Sequence, residues 1–347
     1  MKPCIHYLVL ALICLLAYWL PSGRVDTRKE DMAASDRVSR LIEMLSGKDK
    51  TARIRAAEAL GNMGRRGAIA VPALIRALDD EDEHLSAAIW LALESIGEPT
   101  VPFLVEELQS KDRDKRLRAI RVLTKLGPKA AGAISALGTI STNDKEKRIR
   151  VEAVIALGST GNRRAVSLLS AIVAKPSDTE MRVLALYAIM NIGSEADSAI
   201  PVVKKAMNAG PGIAELAAAT LAAIGGKKGF TALASIIHDI GREPDLRCTA
   251  IRALCSMKPK LSGTVSLLSN MLKDRSVTVR VCTCEALGDM RGRANRAVPA
   301  LTSSLRDTSP ECRISAAKAL YQIDASNPDA VRALAKDCNN PDAAIRK

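Results

Sequence analysis

A chain of 347 residues, 48% of them hydrophobic, has the apolar side chains to build a core, so its composition excludes an intrinsically disordered chain. Aromatic residues make up only 2%, which leaves Ala, Leu, Ile and Val to fill that core and removes the stacking platforms of single-strand nucleic-acid binders. The formal net charge of +13 admits anionic partners such as nucleic acid, acidic polysaccharide or lipid headgroups, but selects none.

The first element predicted is not part of a core. MKPCIHY is followed by LVLALICLLAYWL, an uninterrupted apolar run over residues 8–20, and PSGR ends it. Residues 1–25 therefore read as an export signal or signal anchor, with a linker over 26–35 and the folded array over 36–347. The run is shorter than the roughly 20 apolar residues of a spanning helix. Pro21 sits three residues before a cut after Gly23, and Arg24, Arg28 and Lys29 follow, so cleaved and uncleaved forms both stay open. A lipoprotein reading through Cys14 is disfavoured by Ile13, where a small residue belongs. The expected location is periplasmic or extracellular, with residues 8–20 as a membrane tether if the segment is retained.

From residue 36 the chain repeats. An Arg opens a recurring segment at Arg53, Arg116, Arg150, Arg182, Arg247, Arg280, Arg313 and Arg346, with Ser86 and Ala214 at the two vacant registers. The spacing stays between 30 and 34 residues, the signature of a solenoid. Three residues after the Arg come Ala56, Ala119, Ala153, Ala185, Ala217, Ala250 and Ala316. Seven residues after it come Leu60, Leu93, Leu123, Leu157, Ile189, Leu221, Leu254, Leu287 and Leu320. These positions share one helical face. Gly64, Gly97, Gly127, Gly161, Gly193 and Gly225 are placed to end the helix. A second helix opens with Pro72, Pro102, Pro201 or Pro299 in its first turn, where a missing N–H costs nothing. The expectation is an all-α solenoid of nine full hairpins between about Asp36 and Asp324, with a tenth begun at Pro328.

The pattern VPALIRAL…D…R…AA.ALG.(I/M)G resembles HEAT repeats, in particular the short type of phycobilisome lyase subunits and many bacterial scaffold proteins. The resemblance covers residues 36–347. It implies that the Arg pairs with a loop Asp just before it, as a ladder between repeats. Asp49, Asp112, Asp144, Asp178, Asp245, Asp274, Asp307 and Asp342 lie two to six residues upstream of an Arg. The alternative for the Arg row is a phosphate-binding stripe.

Catalytic chemistry needs clustered acids, bases or ligands. The three histidines, His6, His84 and His238, are dispersed, and no phosphate loop, GxSxG or GxGxxG is present. Iron-binding HEAT-repeat hydroxylases carry repeated His-Glu pairs, and none occurs here. Neither a bilin site nor the aromatic-and-acid pocket of HEAT-like DNA glycosylases has a visible counterpart. No enzyme activity, cofactor or metal is expected. Six of eight cysteines, Cys248, Cys255, Cys282, Cys284, Cys312 and Cys338, lie in the last third. Cys282 and Cys284 are two apart on a helix and point to different faces, a poor bidentate pair. Cys255 and Cys284 read as small core fillers. A disulfide between adjacent repeats, as at Cys248 and Cys282, stays open, since helices pack 8–10 Å apart and a disulfide needs Cα atoms within about 7 Å.

Positions two, five and nine after the Arg lie opposite the buried stripe. The first repeat places Arg55, Glu58 and Asn62 there, and the third places Arg118, Arg121 and Lys125. The fourth to sixth depart from polarity with Ile155, then Leu184 and Tyr187, then Leu216 and Ala219. Aligned apolar residues of this kind mark a binding surface, with Tyr187 as anchor, or else local curvature buries them or the register slips there. The expected function is a non-catalytic protein-interaction scaffold, exported or membrane-anchored. Its concave face would take an apolar helix or peptide, flanked by Arg118, Arg121 and Lys125 for an acidic segment. The alternative is an electrostatic polyanion binder, with nucleic acid disfavoured by the export signal and the scarcity of aromatics.

Overall fold

The structure, a computed structural model, describes residues 27–78, 82–257 and 263–338. The apolar run 8–20, Asp342 and Arg346 lie outside the described residues. Among the described residues every regular element is helical. No single described helix is long and apolar enough to cross a membrane.

Two compact units divide the chain between Ile96 and Gly97. The first holds α1 (Thr27–Leu45), α2 (Lys50–Asn62), α3 (Val71–Ala77) and α4 (Glu83–Ile96), which form two hairpins. The segment read as a 26–35 linker is thus helix from Thr27 onward and runs into the first repeat helix without a break. The second unit continues with α5 (Val101–Glu107), α6 (Arg113–Leu126), α7 (Ile134–Asn143), α8 (Lys147–Ser159), α9 (Val166–Val173) and α10 (Thr179–Ile192). It goes on through α11 (Ile200–Ala206), α12 (Pro211–Ile224), α13 (Gly226–Ile237), α14 (Pro244–Ser256) and α15 (Thr264–Met271). It ends with α16 (Val277–Asp289), α17 (Val298–Ser304), α18 (Pro310–Ile323) and α19 (Pro328–Cys338), the last being the opening of the tenth hairpin.

The core is the stripe expected from helical spacing. Ala56, Ala119, Ala153, Ala185, Ala217, Ala250 and Ala316 are all buried, as are the residues at the Leu position from Leu60 to Leu320. A fully buried Leu is worth about 2 kcal/mol. That burial holds helices such as α3, α5 and α11, whose seven residues are too few to be stable alone. The prolines sit at the start of these helices. Ahead of several of them the chain makes a 3-10 segment, Gly64–Ala70, Gly127–Ala133, Gly193–Ala199 and Arg291–Ala297, which the spacing alone did not show.

The register eleven residues after the Arg takes a left-handed backbone, with Gly97 at φ 71° and Gly127 at φ 54°. In the eighth repeat that register holds Arg291 at φ 52°, the one non-glycine with positive φ among the described residues. A side chain there is strained. Arg291→Gly is expected to stabilise the protein by about 0.5–1 kcal/mol, read as a higher urea midpoint.

Neighbouring repeats approach most closely where the residue eight after the Arg is glycine. A Cβ on Gly61 would lie 2.7 Å from Ala92 Cα, on Gly158 2.8 Å from Ala188 Cα, and on Gly288 3.0 Å from Ala319 Cα.

The Arg row forms a ladder, in a different register from the one the resemblance implied. For Arg116, Arg247 and Arg280 the paired Asp comes from the loop that closes the hairpin, just before the Arg helix of the next repeat. Arg116 binds Asp144 through Nε at 2.8 Å and Nη2 at 3.2 Å. Arg280 binds Asp307 at 2.8 Å through both nitrogens, and Arg247 binds Asp274. The loop before the helix supplies backbone carbonyls instead: Arg116 Nη1 donates to Ser110 O, Arg280 Nη1 to Asp274 O and Arg313 Nη1 to Asp307 O. Each of these aspartates also accepts the N–H two residues on, in Glu146, Ser276 and Ser309. Asp49, Asp112 and Asp178 instead cap their own helices. A phosphate stripe is ruled out for Arg116, Arg247 and Arg280, which are only 6, 3 and 9% exposed.

The Arg280 guanidinium draws the Asp307 carboxyl well below the usual carboxylate range, against the opposing effect of burial. Burial alone would raise Asp274, but Arg247 and the Ser276 N–H outweigh it and the net direction is down.

Candidate partner-binding site

On each Arg-bearing helix the positions five and nine after the Arg face solvent. Glu58, Arg121, Arg252, Glu285 and Lys318 are exposed at the first of these, and Asn62, Lys125, Asn191 and Gln322 at the second. Position two is less open: Arg55 is exposed there, but the same position in the later repeats is half-buried or buried. It leans on the preceding repeat: Cys282 Sγ, at this position, lies 3.8 Å from the Cys248 carbonyl oxygen. Leu184 and Leu216 are accordingly half-buried, and Ala219 is half-buried at position five.

What reaches solvent in the middle of the second unit is Ile155 on α8, 42% exposed, and Tyr187 on α10, 48% exposed. They occupy the same register on helices of successive hairpins, with Leu184 and Leu216 sunk beside them. Exposed hydrophobics occur elsewhere, at Ile69, Ile240 and Tyr321 for example, but at other registers. Leu91 shares the register and is exposed in the first unit.

The basic flank is narrower than the sequence suggested. Arg121 and Lys125 on α6 are exposed. Arg118, at position two, is half-buried, and desolvation lowers its pKa. The reason is the same lean toward the neighbouring repeat.

A second concavity was not anticipated. A cleft of about 830 Å³ lies among the α11–α12 turn, the α13–α14 loop and α14. Its walls include Glu215, Asp239, Glu243, Arg242 and Arg252. It sits where the ladder is interrupted, since Ala214 replaces the Arg and Gly210-Pro211 the loop before it. Arg242 spans the gap, donating to Asn208 Oδ1 at 2.8 Å and Asp239 Oδ2 at 3.0 Å. The vacant register at Ala214 was the readable signal.

Among the described residues no group of three His, Cys, Asp or Glu is placed to hold a metal. Cys284 is buried, as a core filler should be, whereas Cys255 is half-buried.

The HEAT-repeat family model matches residues 38–106, 101–190 and 230–320. The chain belongs to the HEAT-repeat family. Solved HEAT-like structures agree in fold. The karyopherin Kap121p, bound to the extreme C-terminus of the protein phosphatase Cdc14p, aligns with a TM-score of 0.53 at 13% identity, over 89% of this chain and 40% of its own. The CpcE–CpcF complex of phycocyanin lyase from Nostoc sp. PCC7120 gives 0.37 at 20% identity, over 67% and 92%. Human deoxyhypusine hydroxylase gives 0.32 at 21% identity, over 72% and 93%. No curated protein matches the HEAT array in sequence.

Proposed function

We propose that this HEAT array is a non-catalytic scaffold, exported or membrane-anchored through residues 1–25, that docks an apolar helix or extended peptide across α8, α10 and α12. The observation that carries the reading is the pairing of Ile155 and Tyr187, both open to solvent at one register of successive hairpins. Tyr offers a large rigid contact with a polar tip, the kind of residue that anchors an interface. Arg121 and Lys125 supply an attractive flank for acidic residues of the partner. The karyopherin with a phosphatase C-terminus bound supports a protein or peptide partner.

The competing reading, electrostatic capture of a polyanion, draws on the net charge of +13. Binding of the native partner to the wild-type chain and to Leu184→Arg with Tyr187→Ala, at low and high salt, separates the two. The scaffold predicts a loss of roughly 30-fold or more in the variant and little salt dependence. Equal, steeply salt-sensitive retention of polyanions by both forms would replace it with the electrostatic reading.

A further inference from the structure

No cysteine lies between Cys14 and Cys248, yet four of those beyond meet across repeats. Cys282 and Cys284 are two residues apart on α16, about 200° around the helix, so they face opposite neighbours. Cys282 faces back to α14, where its Sγ is 3.8 Å from the Cys248 carbonyl oxygen and its thiol meets that of Cys248. Cys284 faces forward to α18, which carries Cys312 and packs so closely that a Cβ on Gly288 of α16 would lie 3.0 Å from Ala319 Cα; the Cys284 and Cys312 thiols interact beside the Arg280–Asp307 pair. All four side chains are buried thiols.

We propose that the Cys-Thr-Cys motif of the eighth repeat is a double staple, forming one disulfide back to Cys248 and one forward to Cys312. The oxidant is a low-molecular-weight disulfide such as glutathione disulfide. The Cys248 thiolate attacks one sulfur of it and expels a glutathione thiolate, leaving a mixed disulfide. Cys282, which gives up its proton to solvent once local opening exposes it, then attacks the Cys248 sulfur and expels the second glutathione as its thiolate. Two protein thiols and one glutathione disulfide become one protein disulfide and two glutathione thiols, and Cys312 with Cys284 repeats the exchange. The pairs are unequal in the sense this order needs. The neighbouring S–H favours the thiolate at Cys248 and at Cys312, while Cys282 and Cys284, through the same contacts and burial, keep their protons. Because the thiols are buried, exchange belongs to folding or to local opening.

The test refolds the full chain in a glutathione redox buffer, quenches with acid and N-ethylmaleimide, and maps tryptic peptides. Residues 248–252, 281–291 and 307–313 are separate tryptic peptides that hold these cysteines. The expected product is a single species joining all three. Cys282→Ser should leave 281–291 joined only to 307–313, and Cys284→Ser should leave it joined only to 248–252, with helicity checked by circular dichroism. The oxidised wild type should melt higher than the reduced form by on the order of 5–10 °C, reversed by dithiothreitol. Maleimide on all four cysteines in the wild type, a disulfide within 281–291, or links to other cysteines would overturn the proposal.

Discussion

Asp307→Ala is expected to destabilise the C-terminal repeats by about 3 kcal/mol, because it strands the Arg280 guanidinium. Arg280 and Asp307 are each 11% exposed in their side chains, and Arg280 donates to both carboxylate oxygens at 2.8 Å. Removing one partner leaves an uncompensated charge out of water, which costs more than the pair itself contributes. The loss should be local, since each repeat contacts only its neighbours. Hydrogen exchange would therefore show lost protection in α16 and α18 before α6 or α8. Glu180→Gln, which removes the exposed Lys147–Glu180 pair, should produce no measurable change.

The same pair sets a pH dependence. Asp307 and Asp274 are held below the ordinary carboxylate value in the folded state. Their contribution is therefore fully present above the unfolded value of about 4, and is lost as pH falls from there through the folded values. The urea midpoint should stay flat from neutral pH down to about 5 and then drop. In Asp307→Ala that acid drop should be smaller.

Gly158→Val is the second large effect. A Cβ there would stand 2.8 Å from both Cα and Cβ of Ala188, and a helix backbone cannot step aside as a side chain can. The expected cost is about 3 kcal/mol, from forcing α8 and α10 apart. Gly158→Ala should also destabilise, although Ala is the better helix former by about 1 kcal/mol. Gly212 is the control, since nothing lies within 4 Å of a Cβ built on it. Gly212→Ala should stabilise by a few tenths of a kcal/mol. Urea midpoints of the three variants, compared with wild type, decide whether close packing rather than propensity selects glycine.

What was legible in the sequence follows the reach of each interaction. The Ala and Leu registers were readable because helical period is local: the residues that share a face also share a short stretch of chain. The partners of Arg116, Arg247 and Arg280 were not, because Asp144, Asp274 and Asp307 reach them from 27 to 28 residues further on. The same limit applied to position two. Arg118, Leu184 and Leu216 look solvent-facing on an isolated helix, and only the preceding repeat half-buries them. At position five Ile155 and Tyr187 are exposed, as an isolated helix would have them, while Ala219 is half-buried. Cys282 and Cys284 were readable as facing apart, and Cys248 as a neighbour of Cys282 on the adjacent repeat, but Cys312 was not readable as the thiol beside Cys284.

The most direct test of the scaffold reading places a photo-crosslinking amino acid at Tyr187, with exposed Lys205 on α11 as the comparison site. The expected result is one cross-linked partner from position 187, through an apolar segment with an acidic flank, unchanged by high salt and absent from position 205. Cross-links of equal yield from both positions, or capture that disappears with salt, would contradict it.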